Sequence, residues 1–169
     1  MNKFEQLIVY IAKKSESDPG FGAVKLNKLL FFADFSFYRR FGRSITGQNY
    51  VRRQNGPCPT SMVSTTKKLI SSGKIAIQKS DYFGLTQKRT LALTEADLTD
   101  FNGEEIAMVD KIIDFFRDAD ATKVSEISHH FFGWTLAKDG EKIPYGTALI
   151  SIEPPTDKEA QYAQRFAKS

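Results

Sequence analysis

The chain has 169 residues, 41% of them apolar and 14 of them phenylalanine, enough to close one hydrophobic core in one domain. A single cysteine, Cys58, excludes an internal disulfide framework, and no apolar run approaches the roughly 18 residues that span a bilayer. Net charge is +4, but residues 1–94 carry +11 and residues 95–169 carry −7. This polarity implies either an acidic partner for the first half or attraction between the halves within one fold.

Phe4, Leu7, Ile8 and Ile11 recur at helical spacing and predict a first amphipathic helix over residues 2–15. Its apolar stretch from Leu7 to Ala12 is broken by Lys13 and Lys14. It is too short, and lacks the cleavage site, for a secretory signal, so a cytoplasmic location is expected. A turn at Ser17-Asp18-Pro19-Gly20 precedes a second helix from about Val24 to Phe41. Leu26, Leu29, Leu30, Ala33 and Phe37 form its main stripe, and Phe31, Phe32, Phe35 and Tyr38 extend the apolar surface nearly all round. Such a helix belongs at the centre, packed on several sides, and Gly42 is placed to end it.

Residues 48–54 read as a short extended segment and Asn55-Gly56-Pro57-Cys58-Pro59 as a rigid loop. A helix over about 61–72 follows, with Thr60 or Ser61 as its cap. Ile75 and Ile77 alternate with polar residues, and Thr90-Leu91-Ala92-Leu93 follows the Tyr82-Phe83-Gly84 turn region. This predicts a β-hairpin with a long loop. Ile106, Val109, Ile112, Ile113 and Phe116 mark a further helix with Glu104 and Glu105 in its first turn. Another follows Thr122, with Val124, Ile127 and Phe131 inward. Beyond the Pro154-Pro155 break, the tail from Asp157 to Ala167 reads as a short exposed helix. The expected fold is mainly α with a small β-hairpin (α+β), a compact helical domain around an aromatic-rich central helix. Its expected span is residues 1–153, with 154–169 as a tail.

The search for catalytic chemistry is nearly empty. Gly20-Phe21-Gly22 has no third glycine and no preceding strand, so it fails as a dinucleotide fingerprint. Cys58 precedes a helix, as a reactive thiolate can, but Ser64 stands where a phosphatase loop needs arginine. His129 and His130 are adjacent, and on a helix they point about 100° apart, so they do not chelate one metal. His129 is expected to be a polar residue hydrogen-bonded within the fold. No metal, cofactor or enzymatic activity is expected. An enzyme using Cys58 with His129 or His130 is the least favoured class. One pattern points to nucleic acid: a helix with Lys67 and Lys68, then a hairpin with Lys74, Lys79, Lys88 and Arg89, follows the order of a winged helix-turn-helix.

Three stretches in order are similar to a known family. They are Lys25-Leu26-Asn27-Lys28-Leu29-Leu30-Phe31-Phe32-Ala33 with Tyr38 and Phe41-Gly42; Asn55-Gly56-Pro57; and Val124-Ser125-Glu126-Ile127-Ser128-His129 with Trp134 and Ile143-Pro144-Tyr145. Over about residues 4–150 the chain resembles the Panacea domain, also called the SocA-like antitoxin domain, a group that includes the phage-associated GepA proteins. The resemblance implies an antitoxin or adaptor of bacteria and their prophages that binds a partner toxin directly. The SocA type delivers its toxin to the ClpXP protease. It also implies that Lys28, Leu29, Leu30 and Phe31 are the central-helix signature, Gly56 and Pro57 a rigid corner, and Ser128, His129 and Trp134 the late-helix signature. All of these are expected to be largely architectural. The chain departs from the pattern at Gly133, where the family usually has proline, at Phe131-Phe132, a stretch often polar, and at Phe31, where tyrosine is common.

The expected partner is therefore a protein toxin encoded nearby, with ClpXP as a further partner and no membrane. Arg39, Arg40, Arg43, Arg52 and Arg53 are the expected contact residues, because arginine bonds carboxylates in a bidentate manner and is enriched at interface hot spots. The alternative is a winged-helix DNA-binding regulator.

Overall fold

The computed structural model describes residues 1–150, so the expected tail at 154–169 lies outside the described residues. Helix α1 (Lys3–Lys14) begins at a capping box: Asn2 accepts from the Glu5 N–H, and Glu5 reaches back to the Asn2 N–H. Its apolar side, with Phe4, Leu7, Ile8 and Ile11, is buried as the spacing predicts. Helix α2 (Ala23–Phe41) ends at Gly42, which takes the left-handed conformation at φ 74°. Ten of its residues are buried, and that is why it is the pillar of the domain. It touches α1, α4, α5 and both sheets, and its Phe31 and Phe35 rings meet Tyr50 and Phe131 at centroid distances of 5.0–5.6 Å. Phe31 is fully enclosed by rings, so a hydroxyl at that position is not needed to fill the space.

Strands β1 (Tyr50–Arg53) and β2 (Gly56–Pro59) pair antiparallel, and the short β5 (Lys142–Ile143) joins the other side of β1, giving the order β2-β1-β5. The segment expected to be a rigid loop is therefore mostly strand. Two prolines fit there because β2 lies at the sheet edge, where a missing N–H costs no ladder bond. Helix α3 (Met62–Ser71) has Ser61 at its cap position, but that hydroxyl donates to the Gln48 side chain rather than capping the helix.

Strands β3 (Ile75–Tyr82) and β4 (Leu85–Ala92) form the second sheet. The loop expected to be long is only Phe83-Gly84, both at positive φ (50° and 77°), the conformation that lets a two-residue turn follow the strand twist. The ribbon runs out from a base at Ile75 and Thr90, which are buried, to a tip where Phe83 is 90% exposed. Polar residues fill its outer half, so alternation alone does not reveal the full length of the strands.

Helix α4 (Gly103–Phe115) repeats the capping box with Asn102 and Glu105. Helices α5 (Ala121–His129) and α6 (Phe132–Leu136) and a 3-10 turn at Tyr145–Leu149 close the domain. Phe131 packs edge-on against Phe31 and Phe35, and Gly133 is crowded by Thr147 and Ile143. No helix among the described residues is long and apolar enough to cross a membrane.

The opposite charges of the two halves meet inside this fold at Glu105. Its carboxylate, 1% exposed, accepts from Lys3 at 2.6 Å and Arg43 at 2.7 Å. Burial alone would raise this carboxyl, but the bonds from Lys3, Arg43 and the Asn102 backbone outweigh it and hold it below the ordinary value. A depressed carboxylate stabilises the fold above its unfolded pKa, and that contribution is lost as pH falls through the folded value. Glu105→Gln is therefore expected to cost about 1–2 kcal/mol at neutral pH and much less at acid pH. Urea midpoints measured at both pH values would show it, and an equal loss at both would refute the charge argument.

Candidate functional site

The three sequence signatures converge on the β1–β2 hairpin. Lys28 of α2 donates to the Pro57 carbonyl at 3.0 Å, on the free outer edge of β2. Gly56, at φ 106°, brings the hairpin so close to α2 and α5 that a Cβ there would collide with Ser128 Oγ and Lys28 Cε. Ser128 is locked by donating to the Ser125 carbonyl at 2.7 Å. On the other side, Trp134 of α6 donates to the Arg53 carbonyl at 3.2 Å, and its ring stacks on His129 at 4.0 Å. The Arg52 guanidinium lies over the Trp134 ring at 4.0 Å and donates to the Trp134 and Ala137 carbonyls at 3.0 and 2.6 Å. His129 is thus held by stacking. Its Nε2 is buried without a hydrogen-bond partner among the described residues, while the Gln54 backbone is a hydrogen-bond partner of the ring. Burial, then the nearby Lys28 charge, lowers its pKa against the pull of the Gln54 backbone hydrogen bond.

Two adjoining open cavities flank this corner. One, of about 360 Å³, is lined by Asn27, Lys28, Arg53, Asn55, Cys58 and Asp139 among others. The second, of about 350 Å³, is lined by Ser125, Glu126 and His129 and shares Val24 and Asn55 with the first. Cys58 and His129 thus line different cavities. Burial pushes the Cys58 thiol up, against the pull of Lys28 and Arg53, and a raised thiol is the opposite of an activated thiolate.

The five arginines do not form one surface. Arg43 bonds Glu105 and lies over the Phe37 ring, and Arg52 ties β1 to the end of α6. Both hold the domain together. Arg39 and Arg40 are exposed on the last turn of α2. Arg40 lies over the ring of Phe41, beside a shallow cavity that Met108 and Lys111 of α4 complete. Arg53 is exposed at the hairpin turn.

The basic ribbon is also divided. Arg89 turns inward and donates to the Asp18 and Glu16 carbonyls at 2.7 and 3.1 Å, while Lys79 and Lys88 stand directly opposite one another, both exposed. The sequence reading took Lys25 only as part of the family-like stretch and passed over Asp34, both buried and polar inside the aromatic helix. Their places among apolar neighbours were the available signal.

The fold and this corner define a mainly helical α+β domain held together by a hairpin wedged between helices. The family model described as antitoxin SocA-like, Panacea domain, matches residues 26–135. The chain belongs to that family. The match runs from α2 to α6 and takes in the β1–β2 corner. No curated protein and no solved structure matches the chain.

Proposed function

We propose that this protein is an antitoxin that neutralises a toxin encoded nearby by covering the toxin's active surface in direct protein–protein contact. It would work in the bacterial cytoplasm, on a chromosome or prophage, without catalysis of its own. The observation that carries this reading is membership of the SocA-like antitoxin family over about two thirds of the chain. The exposed end of α2 supports it. Arg39 and Arg40, beside Phe41, offer the charged and aromatic anchors that interface hot spots favour. Arg53 is the further contact residue in this reading, and handing the captured toxin to ClpXP is its adaptor form.

Co-expression with a small toxic open reading frame beside the gene tests the reading, and growth rescue is the expected outcome. In pull-downs, Arg39→Glu with Arg40→Glu is expected to weaken capture about tenfold or more while leaving the unfolding midpoint within error. Undiminished capture would remove the end of α2 from the interface.

A second reading, a DNA-binding regulator, is favoured by one observation. Helix α3 leads directly into an exposed ribbon whose Lys79 and Lys88 lie opposite each other, an arrangement that repels unless an anion lies nearby. Retardation of promoter DNA that collapses with added salt would support it.

A further inference from the structure

Helix α2 carries two buried lysines one turn apart, and their surroundings differ sharply. Lys25, 1% exposed, donates to the Asp18 carboxylate at 2.6 Å and to the Ala119 and Arg117 carbonyls at 2.5 and 3.3 Å. It has a counter-ion and a full set of acceptors. Lys28, 2% exposed, has one bond, to the Pro57 carbonyl, and no carboxylate partner among the described residues. An ammonium carries three donors, and burying a charge without a counter-ion costs several kcal/mol. Lys28 lines the 360 Å³ cavity.

The rest of that cavity is built to match. Arg53, Gln54 and Asn55, all three exposed, also line it. Asn27 also lines it; its Oδ1, without a partner among the described residues, is an acceptor and calls for a donor, so it does not bond the anion itself. The lining includes one acidic group, Asp139. Two cations against one carboxylate favour a single negative charge. A phosphate dianion would crowd Asp139.

We propose that the cavity between α2 and the β1–β2 turn is a recognition site for one carboxylate group, received by Lys28 at the floor and Arg53 at the mouth. This site is separate from the Arg39–Arg40 surface and does not depend on the antitoxin reading. The state of Lys28 agrees with it: burial lowers its ammonium to about 8, opposed only by the Cys58 thiol. The groups facing it are Arg53 from β1, Cys58 from β2, His129 from α5 and Asp139 from the segment before β5. A bound carboxylate supplies the missing counter-charge and raises the lysine pKa, so the site weakens as pH rises through about 8.

The test is an NMR titration of the full chain, following backbone amides and the Lys28 Cε signal. The probes are acetate, a tripeptide with a free C-terminus, a blocked aspartate tripeptide, inorganic phosphate, and sodium chloride as the ionic-strength control. The expected result is saturable shifts at Asn55, Gly56 and Lys28 with the carboxylates, with the Lys28 titration moved upward. Preference for acetate would assign the site to free small acids, and preference for one tripeptide to a chain terminus or an aspartate side chain. Arg53→Ala, at an exposed turn, is expected to weaken binding about tenfold. Lys28→Met should abolish it, and because Lys28 is buried its spectrum must first show the native fold. Shifts equal to those of chloride, saturable binding unaffected by Arg53→Ala, or preference for phosphate would each overturn the proposal.

Discussion

Gly56→Ala is expected to destabilise the domain by about 3–5 kcal/mol. Two effects combine at this position. A φ of 106° lies in the region that L side chains rarely adopt. The added Cβ would also meet Ser128 Oγ and Lys28 Cε, with Lys28 Nζ at 3.2 Å. Neither neighbour moves freely, because Ser128 is held by the Ser125 carbonyl and Lys28 by the Pro57 carbonyl. The hairpin has to lift from α2 and α5, breaking the bonds that define the corner. Gly42 is the control. It has a comparable left-handed φ of 74° but open space around it, so Gly42→Ala meets only the backbone penalty, about 1 kcal/mol. Urea unfolding measures both. Equal losses in the two variants would mean that close approach at Gly56 contributes nothing.

Asp34→Ala is expected to cost a similar amount, about 3–5 kcal/mol. Asp34 is fully buried on α2 and accepts four hydrogen bonds: the N–H groups of Ile45 and Thr46 at 2.9 and 2.8 Å, the Thr46 hydroxyl at 2.5 Å and the Tyr50 hydroxyl at 2.7 Å. Through it the segment after α2 folds back and delivers Tyr50 at the start of β1. Alanine leaves the buried Tyr50 hydroxyl and the Ile45 N–H without an acceptor, which is costlier than losing the bonds alone. Burial pushes the Asp34 carboxyl up, against the pull of these donors, so a neutral isostere is tolerated better than truncation. Asp34→Asn keeps one acceptor oxygen, and the two hydroxyls can rotate to accept from its NH₂. Its expected cost is about 1–2 kcal/mol. A loss below 1 kcal/mol for Asp34→Ala would show that the segment is anchored elsewhere.

Much of the architecture is written locally. The 3.6-residue recurrence of Phe4, Leu7, Ile8 and Ile11 and of Leu26, Leu29, Leu30 and Phe37 locates α1 and α2, and Gly42 marks the end of α2. These signals are legible because a helix satisfies its own backbone and displays its apolar face within a few residues. The β2 strand is not legible in this way. Pro57 and Pro59 argue against a strand unless it is known to lie at an edge, and edge position is set by the pairing with Tyr50–Arg53 and by β5 far along the chain. The arginine cluster likewise looks uniform as a string. Only the packing of α4 and α6 ties Arg52 and the still exposed Arg43 to partners within the domain, whereas Arg39, Arg40 and Arg53 are exposed without such ties among the described residues.

By itself, then, the sequence determined the helical class, the central helix, the motifs that mark the family and the scarcity of catalytic groups. The tertiary structure alone decided which of two lysines on one helix receives a counter-ion. Lys25 and Lys28 share a helix, a turn and a chemistry. Their difference comes from what is packed against them, the adjacent Asp18 turn and the distant carbonyls after α4 for one, an edge strand and an open cavity for the other. Charge burial depends on every group within a few ångströms, and helical periodicity carries no information about neighbours that lie 30 or 90 residues away along the chain.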